Sequence, residues 1–105
     1  MRILLAMACL LSSTLAGAQN LPGNPATGKE LALRKCSNCH VVSSTQTRPA
    51  TDGVPTFDQL ARDPATSLSS LRLFLQAPHR PMPDPMLTRS EIDDLASYIV
   101  GLSRQ

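Results

Sequence analysis

The stretch R-K-C-S-N-C-H-V-V, residues 34–42, carries the side chains best suited to chemistry. Cys36 and Cys39 are three apart, and His40 follows the second without a gap. Two thiols and an imidazole in this order admit four uses. A redox-active C-x-x-C needs a βαβ setting, and no convincing strand-like alternation occurs in the chain. A structural zinc site takes four ligands, often as two spaced pairs. Here there is one pair, and completing it with His40 and His79 would force adjacent ligands at 39 and 40. A disulfide closing so short a loop restrains little chain and leaves His40 unexplained. Covalent haem attachment uses all three residues. Each thiol adds to one vinyl group, and the two-residue spacer lets one helical turn present both sulfurs to one porphyrin edge. His40 is then carried beneath the ring, where an imidazole nitrogen binds iron.

Iron held by histidine on one side calls for a second ligand, and electron carriers often use methionine there. Residues 79–86, H-R-P-M-P-D-P-M, supply the candidates. Met82 lies between Pro81 and Pro83, whose fixed torsions restrict the backbone around it. Met86 adjoins Leu87 at the entry to a helix, where packing is a methionine's ordinary role. His79 offers bis-histidine ligation, or simply covers the haem edge. The residues alone rank Met82 first and leave His79 and Met86 as competitors.

These groups need elements to position them. Asn24 is a helix cap, Pro25 suits the first helical position, and K-E-L-A-L-R-K is made of helix formers, so a helix is expected from about Pro25 to Cys36. Gly28, Leu31, Ala32 and Lys35 share one face of it by spacing. Residues 43–55 are rich in Ser, Thr, Pro and Gly and read as a loop. A turn or two of helix is expected over Phe57–Arg62, ended by Asp63-Pro64. Thr66 or Ser67 caps a further helix over Leu68–Gln76, with Leu68, Leu71, Phe74 and Leu75 as its apolar face. Thr88 and Glu91 have capping-box spacing for the last helix, with Leu87 and Ile92 as a hydrophobic staple. Ile92, Leu95, Ala96 and Ile99 form its inner stripe, widened by Tyr98 and Leu102. The fold class is therefore all-α, with three main helices and long loops.

Composition agrees with a cofactor. The chain of 105 residues opens M-R-I-L-L-A-M-A-C-L-L-S-S-T-L-A-G-A, a charged start, a short apolar run and a small-residue cleavage site. Residues 1–18 are expected to be a cleavable signal peptide, leaving one domain over 19–105. The apolar run is short for a membrane span. Cys9 leaves with the peptide, so no set of disulfides can staple the domain. Its aromatics are Phe57, Phe74 and Tyr98, and it has no tryptophan. A domain this small and aromatic-poor needs something else in its core, and a haem supplies a large apolar body. Nine Lys and Arg then face eight Asp and Glu. Nothing in that balance, and no basic run, points to nucleic acid.

At this point the sequence resembles the small class I c-type cytochromes over nearly all of residues 19–105. The likeness rests on G-K-E-L…C-S-N-C-H at 28–40, V-P-T-F at 54–57 and M-P-D-P-M-L-T-R-S-E-I-D-D-L-A-S-Y-I at 82–99. It implies the small cytochrome c fold, three to four helices around one covalent haem c, with the N- and C-terminal helices crossing. It selects Met82 as the distal ligand opposite His40. It also implies that Pro55 offers its carbonyl to the other ring nitrogen of His40, and that Gly28, Leu95 and Tyr98 form the helix crossing. Ala32 stands where many members have an aromatic, Gly53-Val54-Pro55 replaces the commoner Gly-Pro, and the tryptophan near a propionate is absent. Arg48, Arg72 and Arg80 are candidates for the propionates, with solvent exposure the favoured reading for each. The function implied is one-electron transfer in the periplasm, by a monomer that is not itself an enzyme. Its partners would be proteins such as a periplasmic dehydrogenase or a terminal oxidase complex. A gas sensor with a displaceable Met82, or a dehydrogenase subunit, are the alternatives.

Overall fold

In the computed structural model, which describes residues 21–78 and 80–105, Asn24 starts the first helix as its sequence requires. Its side-chain oxygen accepts from the amides of Ala26 (2.9 Å) and Thr27 (3.3 Å), and Pro25 opens α1, Pro25–Lys35. Short α2, Phe57–Arg62, begins in a capping box between Thr56 and Gln59. α3, Leu68–Gln76, begins in another between Ser67 and Ser70, so of the two expected caps Ser67 is the one used. α4, Arg89–Leu102, has the expected Thr88–Glu91 box. Thr88 holds the Glu91 carboxyl below the usual carboxylate range by hydrogen bonds from its amide and hydroxyl. This cap therefore contributes above the ordinary carboxylate pKa and is lost as pH falls through the lowered value. No strand occurs among the described residues, and no helix there is long and apolar enough to cross a membrane. The expected signal peptide, residues 1–18, lies outside the described residues, as does His79.

α4 is the hub, and the other three helices each pack against it. The closest approach is with α1. A Cβ on Gly28 would meet the Asp94 carbonyl oxygen and carbon and the Cβ of Tyr98, so only glycine lets the two backbones come this near. Gly23 does the same against Asp93 and Asp94. Ser97, wholly buried, accepts from the Gly23 amide at 3.0 Å, and Asp94 accepts from the Asn24 amide at 2.7 Å. Around this crossing Leu31, Ala32, Leu95, Ala96, Tyr98 and Ile99 form the core, continued by Phe57, Leu71, Leu75 and Ile92. Arg72 joins α3 to α4 through Asp93 (2.6 Å), and its side chain stays 41% exposed, so the expected exposure comes with an ion pair.

The helical spacing that placed Lys35 with Gly28, Leu31 and Ala32 holds for the first three, which are buried. Lys35 lies exposed at the edge of that face, and the stripe runs on to Cys36, four residues after Ala32, which is buried.

Candidate functional site

Cys36 is the C-cap of α1, its amide donating to the Ala32 carbonyl at 2.8 Å. The chain keeps turning after it. The Cys39 and His40 amides both donate to the Cys36 carbonyl, at 3.2 and 3.0 Å. Residues 36, 39 and 40 thus occupy positions i, i+3 and i+4 of one turn, which is the spacing that puts side chains on one side. Both thiols are free, Cys36 buried and Cys39 exposed. Burial pushes the Cys36 thiol up to about 11, with Lys35 opposing it weakly.

His40 is held by a loop. Its Nδ1 lies 2.6 Å from the carbonyl oxygen of Pro55. A carbonyl only accepts, so Nδ1 carries the proton and donates, which leaves Nε2 as the nitrogen with a free lone pair. The backbone returns Pro55 by two ties, the Thr51 amide to the Cys39 carbonyl (2.8 Å) and the Phe57 amide to the Val41 carbonyl (2.9 Å). Between them a turn closes from Thr51 to Val54 (2.9 Å), with Gly53 at φ 77°, a conformation that side-chain-bearing residues rarely adopt. The departure at Gly53-Val54-Pro55 therefore still delivers a proline carbonyl to the histidine. The His40 ring is 5.4 Å from that of Phe57, and Phe57 is 6.4 Å from Tyr98. The Tyr98 hydroxyl donates to the buried Val42 carbonyl at 2.5 Å, so α4 holds the loop's first residues as well as α1.

Met82 is partly buried and packs against the core. The segment after it is tied down at three points. Asp84 accepts from the Met86 amide (2.8 Å), the Lys35 ammonium donates to the Pro85 carbonyl (3.0 Å), and the capping box of α4 begins at Thr88. The Lys35 tie joins the end of the helix that carries Cys36 to the segment that carries Met82. Met86, expected to pack, is 82% exposed and sits at φ 52°. It turns outward there, and Leu87 packs against the core instead. Arg48 donates to the Asn38 side chain at 3.3 Å, and Arg80 is exposed.

The donor set can be tested against the chemistry it was read for. Among the described residues no group of three or more His, Cys, Asp or Glu side chains is placed to hold a metal ion. Two unpaired thiols, an imidazole with Nδ1 occupied and Nε2 available, and a partly buried thioether fit a c-type haem. Sequence reasoning missed Gln46, whose amide reaches three backbone groups of the loop, and the Lys35 tie. Gln46 belongs to no periodic pattern, and the place of Lys35 on the face of α1 carries no sign of a partner as far along the chain as Pro85.

The cytochrome c family model matches residues 25–103. A cytochrome c-552 from Bradyrhizobium diazoefficiens is 40% identical over 100 residues, covering 95% of this chain and 89% of that protein. No solved structure gives a significant match.

Proposed function

Because the chain belongs to the cytochrome c family and carries covalently bound haem c, we propose that it is an exported one-electron carrier with iron held by His40 and Met82. The observation that carries this reading is the 2.6 Å bond from His40 Nδ1 to Pro55, directly beside two free thiols. Bound haem supplies an iron that alternates between ferrous and ferric states.

The rest is the work of the chain. Cys36 and Cys39 hold the group through two thioethers. Pro55 fixes the ring orientation of His40 and raises the basicity of Nε2. Met82, a neutral soft donor, favours the ferrous state relative to a second histidine. The ties on residues 84–88 limit how far the thioether can move, and the core of α1, α3 and α4 keeps water away. His40 and Met82 would together supply both protein ligands to the iron, so the reading is of a carrier between proteins rather than an enzyme. The opening eighteen residues support export, with the working domain at 19–105 in the periplasm. Partners there would be a dehydrogenase on the donor side and a terminal oxidase complex on the other.

Carbon monoxide tests the reading. The reduced protein is expected to keep its spectrum under the gas, while Met82→Ala binds it readily. A wild type that takes up carbon monoxide as readily as the variant would contradict the carrier function and favour a sensor with a displaceable methionine.

A further inference from the structure

Residues 43–48, S-S-T-Q-T-R, look like an ordinary polar loop, yet one side chain organises it. The Gln46 amide nitrogen donates to the His40 carbonyl at 3.1 Å and to the Arg48 carbonyl at 3.3 Å. Its oxygen accepts from the Val42 amide at 3.1 Å. The orientation of the amide is unambiguous, because two carbonyls face its donor end and an N–H faces its acceptor end. Gln46 is partly buried, and its own amide donates to Ser43 at 3.1 Å, which turns the side chain back toward residues 40–42.

We propose that Gln46 is a positioning residue for His40. The inference rests on the reading of His40 as an iron ligand. An imidazole's orientation depends on where its backbone lies and on what its outer nitrogen touches. Pro55 supplies the second constraint and Gln46 the first, since it grips the carbonyl of His40 itself. The amides of Cys39 and His40 are already fixed by Cys36, so the Gln46 bond fixes the far side of the same residue. Gln46 also clamps Val42, whose carbonyl is held by Tyr98, and so joins the histidine to α4.

The chemistry demands both ends of the amide. Glutamate at this position keeps only the bond from Val42 and sets a carboxylate against two carbonyls. Methionine, of similar size, keeps none of the three. Loosening the His40 backbone weakens the Nδ1–H···O=C bond to Pro55. The ring then donates less electron density through Nε2, and the ferric state loses stabilisation.

The test uses the haem-loaded protein. Exchange of the His40 Nδ1 proton with solvent is read by nitrogen-15 NMR in the ferrous state, alongside the reduction potential. Gln46→Met should speed that exchange about tenfold, the effect of losing roughly one well-made hydrogen bond, and should raise the potential. Gln46→Glu should also speed the exchange, while its added negative charge opposes the rise in potential, so it serves through the exchange readout if the methionine variant does not fold. Faster melting with unchanged proton exchange and unchanged potential would overturn the proposal and leave Gln46 as a loop brace. Hyperfine-shifted His40 ring protons in the ferric wild type check the ligand reading separately. If those are absent, the premise fails; if they are present and indifferent to both variants, only the Gln46 inference fails.

Discussion

Replacing Gly28 with alanine should lower the melting temperature of the holoprotein by roughly 12–24 °C. The added Cβ would lie 2.6 Å from the Asp94 carbonyl carbon and 2.9 Å from the Tyr98 Cβ, and closer still to the Asp94 oxygen. These are mostly backbone atoms of α4, so no side chain can swing aside, and the helices must separate. Overpacking costs about 3 kcal/mol at the upper end of its usual range. In a domain of this size each kcal/mol moves the melting temperature by about 4–8 °C. Gly101→Ala is the internal control, because nothing lies within 4 Å of its new Cβ. Its helix propensity gain of up to about 1 kcal/mol should leave stability unchanged or raise it. Circular dichroism melts of the two variants decide the matter. Equal melting for Gly28→Ala and wild type would mean that the crossing is not as tight as described.

Removing both thiols, as Cys36→Ala with Cys39→Ala, should abolish covalent haem retention altogether. Wild type, unfolded and extracted with acidified organic solvent, should keep one haem per chain. The double variant should keep none. Each single variant should keep the haem through one thioether, since the two sulfurs sit on the same turn and act separately. Loss of the haem would also unsettle the fold. Cys36 belongs to the core with Leu31 and Ala32, and the domain has few large side chains to close around an empty site. Haem staining after denaturing electrophoresis reads the result. Haem still attached to the double variant would place the thioethers elsewhere.

What the sequence made legible was local or periodic. Thr88 and Glu91 specify their capping box within four residues, and the box is there. The apolar stripe of α4 repeats every turn, and its members fill the core. Cys36, Cys39 and His40 announce themselves by spacing. Pro55 was different. Its bond to His40 spans fifteen residues of irregular chain, and only the family likeness pointed to it. Once folded, the reason is visible in the turn at Gly53 and the two backbone ties that flank it.

Other features depended on geometry that no pattern encodes. Ser97 lies beside the inner stripe of α4 and looks like a neutral polar residue, yet it is fully buried because the chain entering α1 crosses over it. Lys35 fits the apolar spacing of α1 but falls in the last turn, where its ammonium reaches Pro85. Met86 was read as packing, but the backbone at φ 52° turns it out and gives the inward place to Leu87. Gln46 had no signal at all, because its partners are backbone groups brought near by the turn that it helps to make.

The central claim is that Met82 and His40 hold the iron between them. The most direct measurement is proton NMR of the reduced protein with methionine methyl groups labelled by carbon-13. A methyl bound at the iron lies over the porphyrin face, and the ring current moves its signal far upfield. The account predicts one such methyl, assigned to Met82 by its disappearance in Met82→Ala and its persistence in Met86→Leu. An upfield methyl that vanishes instead with Met86→Leu, or no upfield methyl in the wild type, would contradict it.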